Sequence, residues 1–149
     1  MKNLTSTLIL ILTLNLGCQT EKDMKVQQKQ IIENYVNSYN NFDVNGMTKD
    51  LDENVVFENI SNGKVDLRTE GIKEFKKQAE LAKQYFKQRK QTIETLEFND
   101  SVVSVGIDYV AILNINLPNG MKSGDTLKLK GKSRFQFEKG KIKKLTDES

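Results

Sequence analysis

One stretch near the C-terminus restricts the fold more than any other. From Leu127 to Glu138, small or apolar residues alternate with charged or amide residues. The first set is Leu127, Leu129, Gly131, Ser133, Phe135 and Phe137, and the second is Lys128, Lys130, Lys132, Arg134, Gln136 and Glu138. Successive side chains of a strand point to opposite faces, so this pattern predicts a long strand that is buried on one face only. Such a strand requires a sheet with other structure packed on one side.

The rest of the chain predicts that helices supply this packing. Apolar residues at helical spacing run from Val26 to Tyr39, and Asp43 can cap a second, short helix. A hairpin follows over 55–67, then a long helix from Gly71 to about Gln91, and finally strands over 92–98, 102–115, 127–138 and 141–146. Because helices and strands come in separate runs, we expect an α+β fold in which helices pack on the concave face of a curved antiparallel sheet.

The long predicted helix carries a basic face. Its members are Lys73, Lys76, Lys77, Lys83, Lys87, Arg89 and Lys90. The favoured interpretation is a solvated helix surface. The alternative is attraction to anionic lipid headgroups.

The N-terminus predicts export. A basic start at Lys2, an apolar run from Leu8 to Leu16 and a small residue before Cys18 are typical of a signal peptide. Gly17-Cys18 resembles the lipobox of bacterial lipoproteins, although Asn15 departs from its pattern. That resemblance implies a signal peptide over 1–17, lipid on Cys18, a tether over 18–25 and a domain over 26–147, anchored outside the cytoplasm in the bacterial cell envelope. The alternative is a plain secretory signal with an incidental cysteine.

Composition excludes several classes of function. The chain has no histidine and one cysteine, which excludes Ser-His-Asp and Cys-His catalysis and the usual zinc sites. Its sequence has neither the glycine-rich dinucleotide motif nor the phosphate-loop motif, so we expect no cofactor and no metal. A formal net charge of +3 is too small to indicate a nucleic-acid partner.

Two groups of residues carry a resemblance to a known fold family. The first is the opening from Tyr35 through Asp43 and Gly46 to Asn59, and the second is the closing pair formed by 133–138 and 140–142. In this order they resemble the nuclear-transport-factor-2-like superfamily, the cone fold of SnoaL-like cyclases and ketosteroid isomerases. The resemblance covers residues 26–147 and implies a cavity between sheet and helices. Since this fold hosts enzymes, binders and assembly modules, it does not by itself give the function.

The resemblance also allows the isomerase chemistry to be tested residue by residue. That chemistry needs a carboxylate base and two neutral donors for a developing oxyanion. The tyrosine donor falls on Tyr35, the base on Asn59 and the acidic donor on Ser133. An amide cannot serve as the base and a hydroxyl is a weaker donor, so the resemblance implies that this mechanism is lost.

The expected pocket therefore suits binding better than proton transfer. Tyr35, Asn59 and Ser133, with Phe57 and Phe135 as lining, would orient a small, partly apolar ligand. Each polar residue also has a purely structural interpretation. Tyr35 would be a core tyrosine, Asn59 would bond a turn, and Ser133 would be a small residue that fits.

Asp108 supports the alternative function. If it faced the cavity, burial would raise its pKa and make it a base for an isomerase, cyclase or hydrolase. Strand alternation favours an outward Asp108, although Gly106 predicts a bulge or bend that can shift the register. The first hypothesis remains a lipid-anchored domain that binds a small molecule or a partner protein without catalysis. A homodimer through the sheet is possible, although the row from Lys128 to Arg134 opposes it by like-charge repulsion.

Overall fold

The computed structural model describes residues 20–149 as three helices and six strands. They are α1 (Glu21–Asn40), α2 (Val44–Thr48), β1 (Leu51–Ser61), β2 (Lys64–Glu70), α3 (Ile72–Lys83), β3 (Phe86–Asn99), β4 (Val102–Leu113), β5 (Thr126–Glu138) and β6 (Lys141–Glu148). The predicted signal peptide, Cys18 and the start of the tether lie outside the described residues. Within 20–149, none of the helices combines the length and the apolar character needed to cross a membrane.

The first helix begins inside the segment that was expected to be a tether. The Thr20 side chain accepts a hydrogen bond from the Asp23 backbone N–H at 3.2 Å, and Asp23 accepts one from the Thr20 backbone in return. This capping box satisfies N–H groups that the first helical turn leaves without partners. Residues 21–25 are exposed, so they lack the apolar periodicity by which the rest of α1 was recognised.

The strands form one six-stranded sheet in the order β2-β1-β6-β5-β4-β3. All neighbours are antiparallel except β1 and β6, which run parallel. The sheet is curved and unclosed with helices packed on it, which confirms the predicted α+β fold. The parallel pair was not predicted, and it joins the N-terminal hairpin to the C-terminal strands.

The core lies between the concave face of the sheet and the helices. Every second residue of β5 is buried from Ser133 to Phe137, as the alternation predicted, and the intervening residues are exposed. Facing side chains come from α1 (Ile32, Tyr35, Val36), from α3 (Phe75, Ala79) and from the neighbouring strands (Val103, Val105, Leu145). Alternation therefore decides which side chains can reach the space beneath the helices.

The third helix is shorter than predicted. It ends at Lys83, and β3 begins at Phe86 instead of near Thr92. The carbonyls of Gln84 and Tyr85 accept hydrogen bonds from the side chain and backbone of Asn114, so the chain leaves the helix to pair with β4. The helical pattern extends past the end of α3. A pattern within one segment cannot show that apolar residues of β4, distant in sequence, need a partner strand.

Two glycines mark close approaches. A Cβ atom at Gly46 would lie 2.4 Å from the Ser38 Oγ and 2.5 Å from the Asp43 Oδ2, the carboxylate that caps α2. A Cβ atom at Gly106 would lie 2.5 Å from the Thr95 Oγ1. The bulge was expected in the strand of Gly106, but the register shift lies in its partner β3, between Ile93 and Thr95.

We predict that Thr69→Val stabilises the protein. The Thr69 hydroxyl is buried and has no hydrogen-bond partner within the described residues, so valine keeps the shape and removes an unsatisfied polar atom. Urea unfolding should show a gain of about 1 kcal/mol in the free energy of unfolding. Thr126→Val, at an exposed strand position, is the control and should change stability little. A loss of stability in Thr69→Val would show that the hydroxyl has a partner.

A cavity with a buried carboxyl group

The concave face and the helices enclose a cavity of two adjoining chambers, each about 290 Å³ in volume. Both chambers are bordered by Tyr39, Asn59, Phe86 and Asp147. The helix chamber is also lined by Tyr35, Met47, Phe57, Phe75, Ala82 and Arg89. The sheet chamber is also lined by Ile107, Tyr109, Leu127, Leu129 and Ser133. The helix chamber has mainly aromatic and apolar walls, which suit a small organic ligand, whereas the sheet chamber is also lined by charged side chains, among them Lys132 and Glu148.

Three polar residues form a row across the floor of this cavity. Asn59 of β1 is in register with Asp147 of β6, which is in register with Ser133 of β5. The Ser133 Oγ donates a hydrogen bond of 2.6 Å to the Asp147 Oδ1. The row exists because β1 and β6 pair in parallel, which places the C-terminal end of β6 beside the C-terminal end of β1.

Asp147 has the properties of a proton-transfer group. It keeps part of its surface open to both chambers while protein surrounds the rest. Burial raises the pKa of Asp147 from 3.8 to about 6, and the hydrogen bond from Ser133 offsets only part of that rise. Within residues 20–149 it forms no ion pair. A carboxyl group with a pKa near 6 can accept and return a proton at neutral pH.

Three phenols line the same cavity as this carboxyl group. Burial raises the pKa of Tyr35, Tyr39 and Tyr109 above the ordinary value, and the charge of Asp147 adds to that rise at Tyr35 and Tyr39. The Tyr39 hydroxyl donates to that of Tyr109 at 3.3 Å, whereas the Tyr35 hydroxyl has no hydrogen bond to any described residue. The phenols therefore stay protonated at neutral pH and act as hydrogen-bond donors.

Arg89 provides the positive charge of the helix chamber. Its guanidinium carbon lies 3.7 Å from the ring centroid of Tyr39 and 4.4 Å from that of Phe42. The Nε donates to the Tyr39 carbonyl at 2.8 Å, at the C-terminal end of α1. The interpretation of Arg89 as part of a solvated helix face is wrong, because this residue belongs to β3 and is only 5% exposed.

Four of the five residues expected in the pocket lie at the cavity. Tyr35 and Phe57 line the helix chamber, Ser133 lines the sheet chamber and Asn59 lines both. Phe135 lies in the core instead, 1% exposed, with its ring 5.6 Å from that of Tyr35. The hydroxyl of Ser133 and the amide of Asn59 are already engaged, since Asn59 donates to the Asp66 carboxylate at 2.9 Å. Their role as ligand contacts stays a prediction.

Asp108 is excluded as the base of this cavity. In the sheet register it stands opposite Thr92 of β3 and Lys130 of β5, on the outer face. Val105, Ile107 and Tyr109 face inward. The bulge beside Gly106 does not reverse this alternation. The carboxyl group that borders both chambers of the cavity is instead that of Asp147.

Asp147 and Arg89 were missed for different reasons. The sequence does hold a weak signal for Asp147, since it follows the buried Leu145 by two residues and so shares its face. The pairing of β5 with β6 shifts register between Gln136 and Phe137. This shift breaks the regular alternation of buried and exposed residues along β6, so the sequence pattern alone does not place Asp147 on the buried face. Arg89 was missed because the helix was extended too far. Among the described residues, no cluster of three or more acidic or cysteine side chains could hold a metal ion.

Comparison with solved structures decides the fold. A proposed polyketide cyclase from Xanthomonas campestris pv. campestris is 18% identical, with 85% of this chain and 92% of that chain covered and a TM-score of 0.72. AclR, a proposed hydroxylase from Streptomyces galilaeus, is 16% identical over 83% and 88% of the two chains, with a TM-score of 0.66. A nuclear-transport-factor-2-like protein of unknown function from Burkholderia pseudomallei K96243 is 13% identical over 81% and 88%, with a TM-score of 0.67.

The chain has the nuclear-transport-factor-2-like fold. No protein-family model matches it. No curated protein matches it either. At these identities the solved structures establish the cone fold alone, so the chemistry of this cone has to be argued from its own cavity.

We predict that Asp147→Asn stabilises the protein and removes part of the pH dependence of its stability. The folded pKa of about 6 exceeds the unfolded value, so the native state binds more protons between roughly pH 4 and 6 and the wild type loses stability as pH rises through that window. At about 1.4 kcal/mol per pKa unit, the gain in the variant should reach roughly 2–3 kcal/mol at pH 8 and shrink towards pH 4.

Urea unfolding at pH 4 and pH 8 tests this. Asp108→Asn removes the same charge from the outer face. This variant should lose as much stability between pH 4 and pH 8 as the wild type does. Equal pH dependence in wild type and Asp147→Asn would show that Asp147 does not bury its charge.

Proposed function

We propose that this chain is a cavity enzyme that moves a proton on a small, partly apolar organic molecule, in the manner of an isomerase or cyclase. The observation that carries the proposal is Asp147, a carboxyl group open to the cavity, raised in pKa and without an ion-pair partner in the described chain. Perturbed carboxyl groups in a cleft are typical of functional sites.

The proton transfer can be written with these residues. The Asp147 carboxylate takes a proton from carbon, and the electron pair left behind moves onto an oxygen of the ligand. The phenol of Tyr35, whose hydroxyl has no hydrogen bond to any described residue, donates to that oxygen as its negative charge develops. Asp147 then returns the proton at a second position. Alternatively, the carbanion attacks a carbonyl within the same molecule and closes a ring, and the resulting alkoxide takes the proton from Asp147.

The row of Asn59, Asp147 and Ser133 supports this assignment. The resemblance to ketosteroid isomerases implies a base on β1, where Asn59 stands. The parallel pairing places Asp147 of β6 beside that position, on the same face. The carboxylate absent from β1 is therefore supplied by the neighbouring strand, and Ser133 orients it through a hydrogen bond.

The similar solved structures favour the same class. The proteins from Xanthomonas campestris and Streptomyces galilaeus are described as a proposed polyketide cyclase and a proposed hydroxylase. Both are similar to this chain over more than four-fifths of its length.

Turnover of a neutral carbon acid tests the proposal. 5-Nitrobenzisoxazole is a planar aromatic molecule that loses its ring C–H proton to a base. The electron pair forms a nitrile, the N–O bond breaks and a yellow phenolate is released. We expect turnover that rises with pH through about 6, where Asp147 ionises, and a loss of at least roughly 100-fold in Asp147→Asn.

Asp108→Asn is the matched control, since it removes a carboxylate from the outer face of the same sheet. It should keep the wild-type rate. Turnover that persists in Asp147→Asn would remove Asp147 as the base. Binding of the probe without Asp147-dependent turnover would instead favour the second candidate, a ligand-binding domain without catalysis. The hydrogen bond from the Asn59 amide to the Asp66 carboxylate favours that candidate, because it gives Asn59 a structural role on β1.

We also propose that the domain is displayed on a bacterial membrane through lipid on Cys18. The support is the apolar run ending in Gly17-Cys18. The full chain expressed in a bacterial host should partition into the detergent phase after detergent phase separation. Cys18→Ser should move it to the aqueous phase. Equal partition of both into the aqueous phase would indicate a plain secretory signal.

A further inference from the structure

Arg89 is a buried charge that the proposed proton transfer does not use. Its side chain is 5% exposed. Among residues 20–149, no carboxylate oxygen lies within 4.0 Å of its nitrogens. A buried guanidinium without a counterion is costly, and proteins keep such groups paired or direct them to a ligand.

The contacts of Arg89 fix its orientation without neutralising it. The planar group lies between the rings of Tyr39 and Phe42, and the Nε is bonded to the carbonyl of Tyr39. The partial negative charge of the C-terminal end of α1 stabilises the cation at that edge. The Nη2 has the Met47 sulfur at 4.0 Å, a weak acceptor. A side-chain hydrogen bond between Arg89 and the Tyr39 phenol also lowers the pKa of that phenol. Neither partner is anionic, so the guanidinium can still bind an anionic acceptor.

The charge of Arg89 is felt inside the cavity. It lowers the pKa of Tyr35, Tyr39 and Tyr109, although burial outweighs it at each phenol. It has no such effect on Asp147, whose pKa reflects burial and Ser133 alone. The helix chamber therefore has a cation and a carboxyl group that border the same space without pairing.

We propose that the helix chamber binds small organic acids, with a carboxylate of the ligand paired to the Nη groups of Arg89. A guanidinium fork matches the two oxygens of a carboxylate. The aromatic rings of Phe57 and Phe75 pack against the apolar remainder. The inference names the substrate class of the proposed function and rests on it, since the acid must enter the cavity that holds Asp147.

A pair of ligands of the same shape and different charge tests this. 2-Naphthoate carries a carboxylate, and 2-naphthamide is its neutral counterpart. At pH 7.5 we expect the wild type to bind the naphthoate roughly tenfold or more tightly than the amide by calorimetry. Arg89→Met should reduce that preference to less than about twofold.

Two matched variants locate the effect. Lys90→Met removes the next positive charge along β3, on the exposed face, and should keep the preference. Ala82→Phe fills the helix chamber and should weaken both ligands. Arg89 also borders a depression of about 650 Å³ with Phe42 and Val110, on the side away from Asp147. Binding that ignores Ala82→Phe, or a preference lost in Lys90→Met, would place the acid there and overturn the proposal.

Circular dichroism checks that each variant folds, and Arg89→Lys serves as a second variant. If Arg89→Met does not fold, the lysine variant keeps the charge and loses the two-pronged geometry, so it should lower the preference severalfold. An unchanged preference in either folded variant would overturn the proposal.

The two proposals fail in different experiments. Nitrobenzisoxazole is neutral, so wild-type turnover without a preference for naphthoate would support the proposed enzyme and contradict the acid-binding site. A preference for naphthoate without turnover would contradict the proposed base and support the acid-binding site.

Discussion

The parallel pairing of β1 with β6 is the contact on which the rest of this structure depends. It is the one parallel pair of the described sheet, and it joins the hairpin of β1 and β2 to the four C-terminal strands. The helices on either side of that hairpin are thereby held over the concave face. The same register sets Asn59, Asp147 and Ser133 in one row. Cavity and carboxyl group therefore arise from a single pairing of distant segments.

The cavity keeps two opposite charges apart. Asp147 and Arg89 both border the helix chamber, yet each is held by other groups, Asp147 by Ser133 and Arg89 by aromatic rings and a helix end. Pairing the two would lower the pKa of the carboxyl group and end its use as a base near neutral pH. Their separation costs stability, and functional sites often trade stability for chemistry in this way. It leaves one charge for moving a proton and one for binding an acid.

Local patterns predicted most of the fold. The alternation of β5 and the cap at Asp43 depend on neighbours in sequence, and each lies where it was expected. The end of α3 was wrong because it depends on Asn114, a residue thirty positions from Gln84. The parallel pair was missed for the same reason, since strand pairing is decided by the packing of the whole sheet.

The site was predicted less well than the fold. Tyr35, Asn59 and Ser133 were placed at the cavity by resemblance, and the structure brings them to it. Asp108 was weighed as a base because it interrupts an apolar strand, but such an interruption marks the solvent face as readily as a cavity. Asp147 lies in a polar C-terminal segment, and such a composition predicts an exposed strand end. Only its position between β1 and β5 gives it a buried environment.

The sequence by itself determined that this chain forms an α+β fold with helices packed on a curved sheet, with no histidine or second cysteine for catalysis or metal binding. Those conclusions depend on residue type and periodicity, which are properties of the chain alone. Tertiary structure decided which charges are buried. Asp147 and Arg89 differ from the many exposed acidic and basic residues only by their surroundings, because the free energy of a charge depends on the solvent and dipoles around it. The chemistry of the cavity therefore follows from the pairing of strands that lie far apart in sequence.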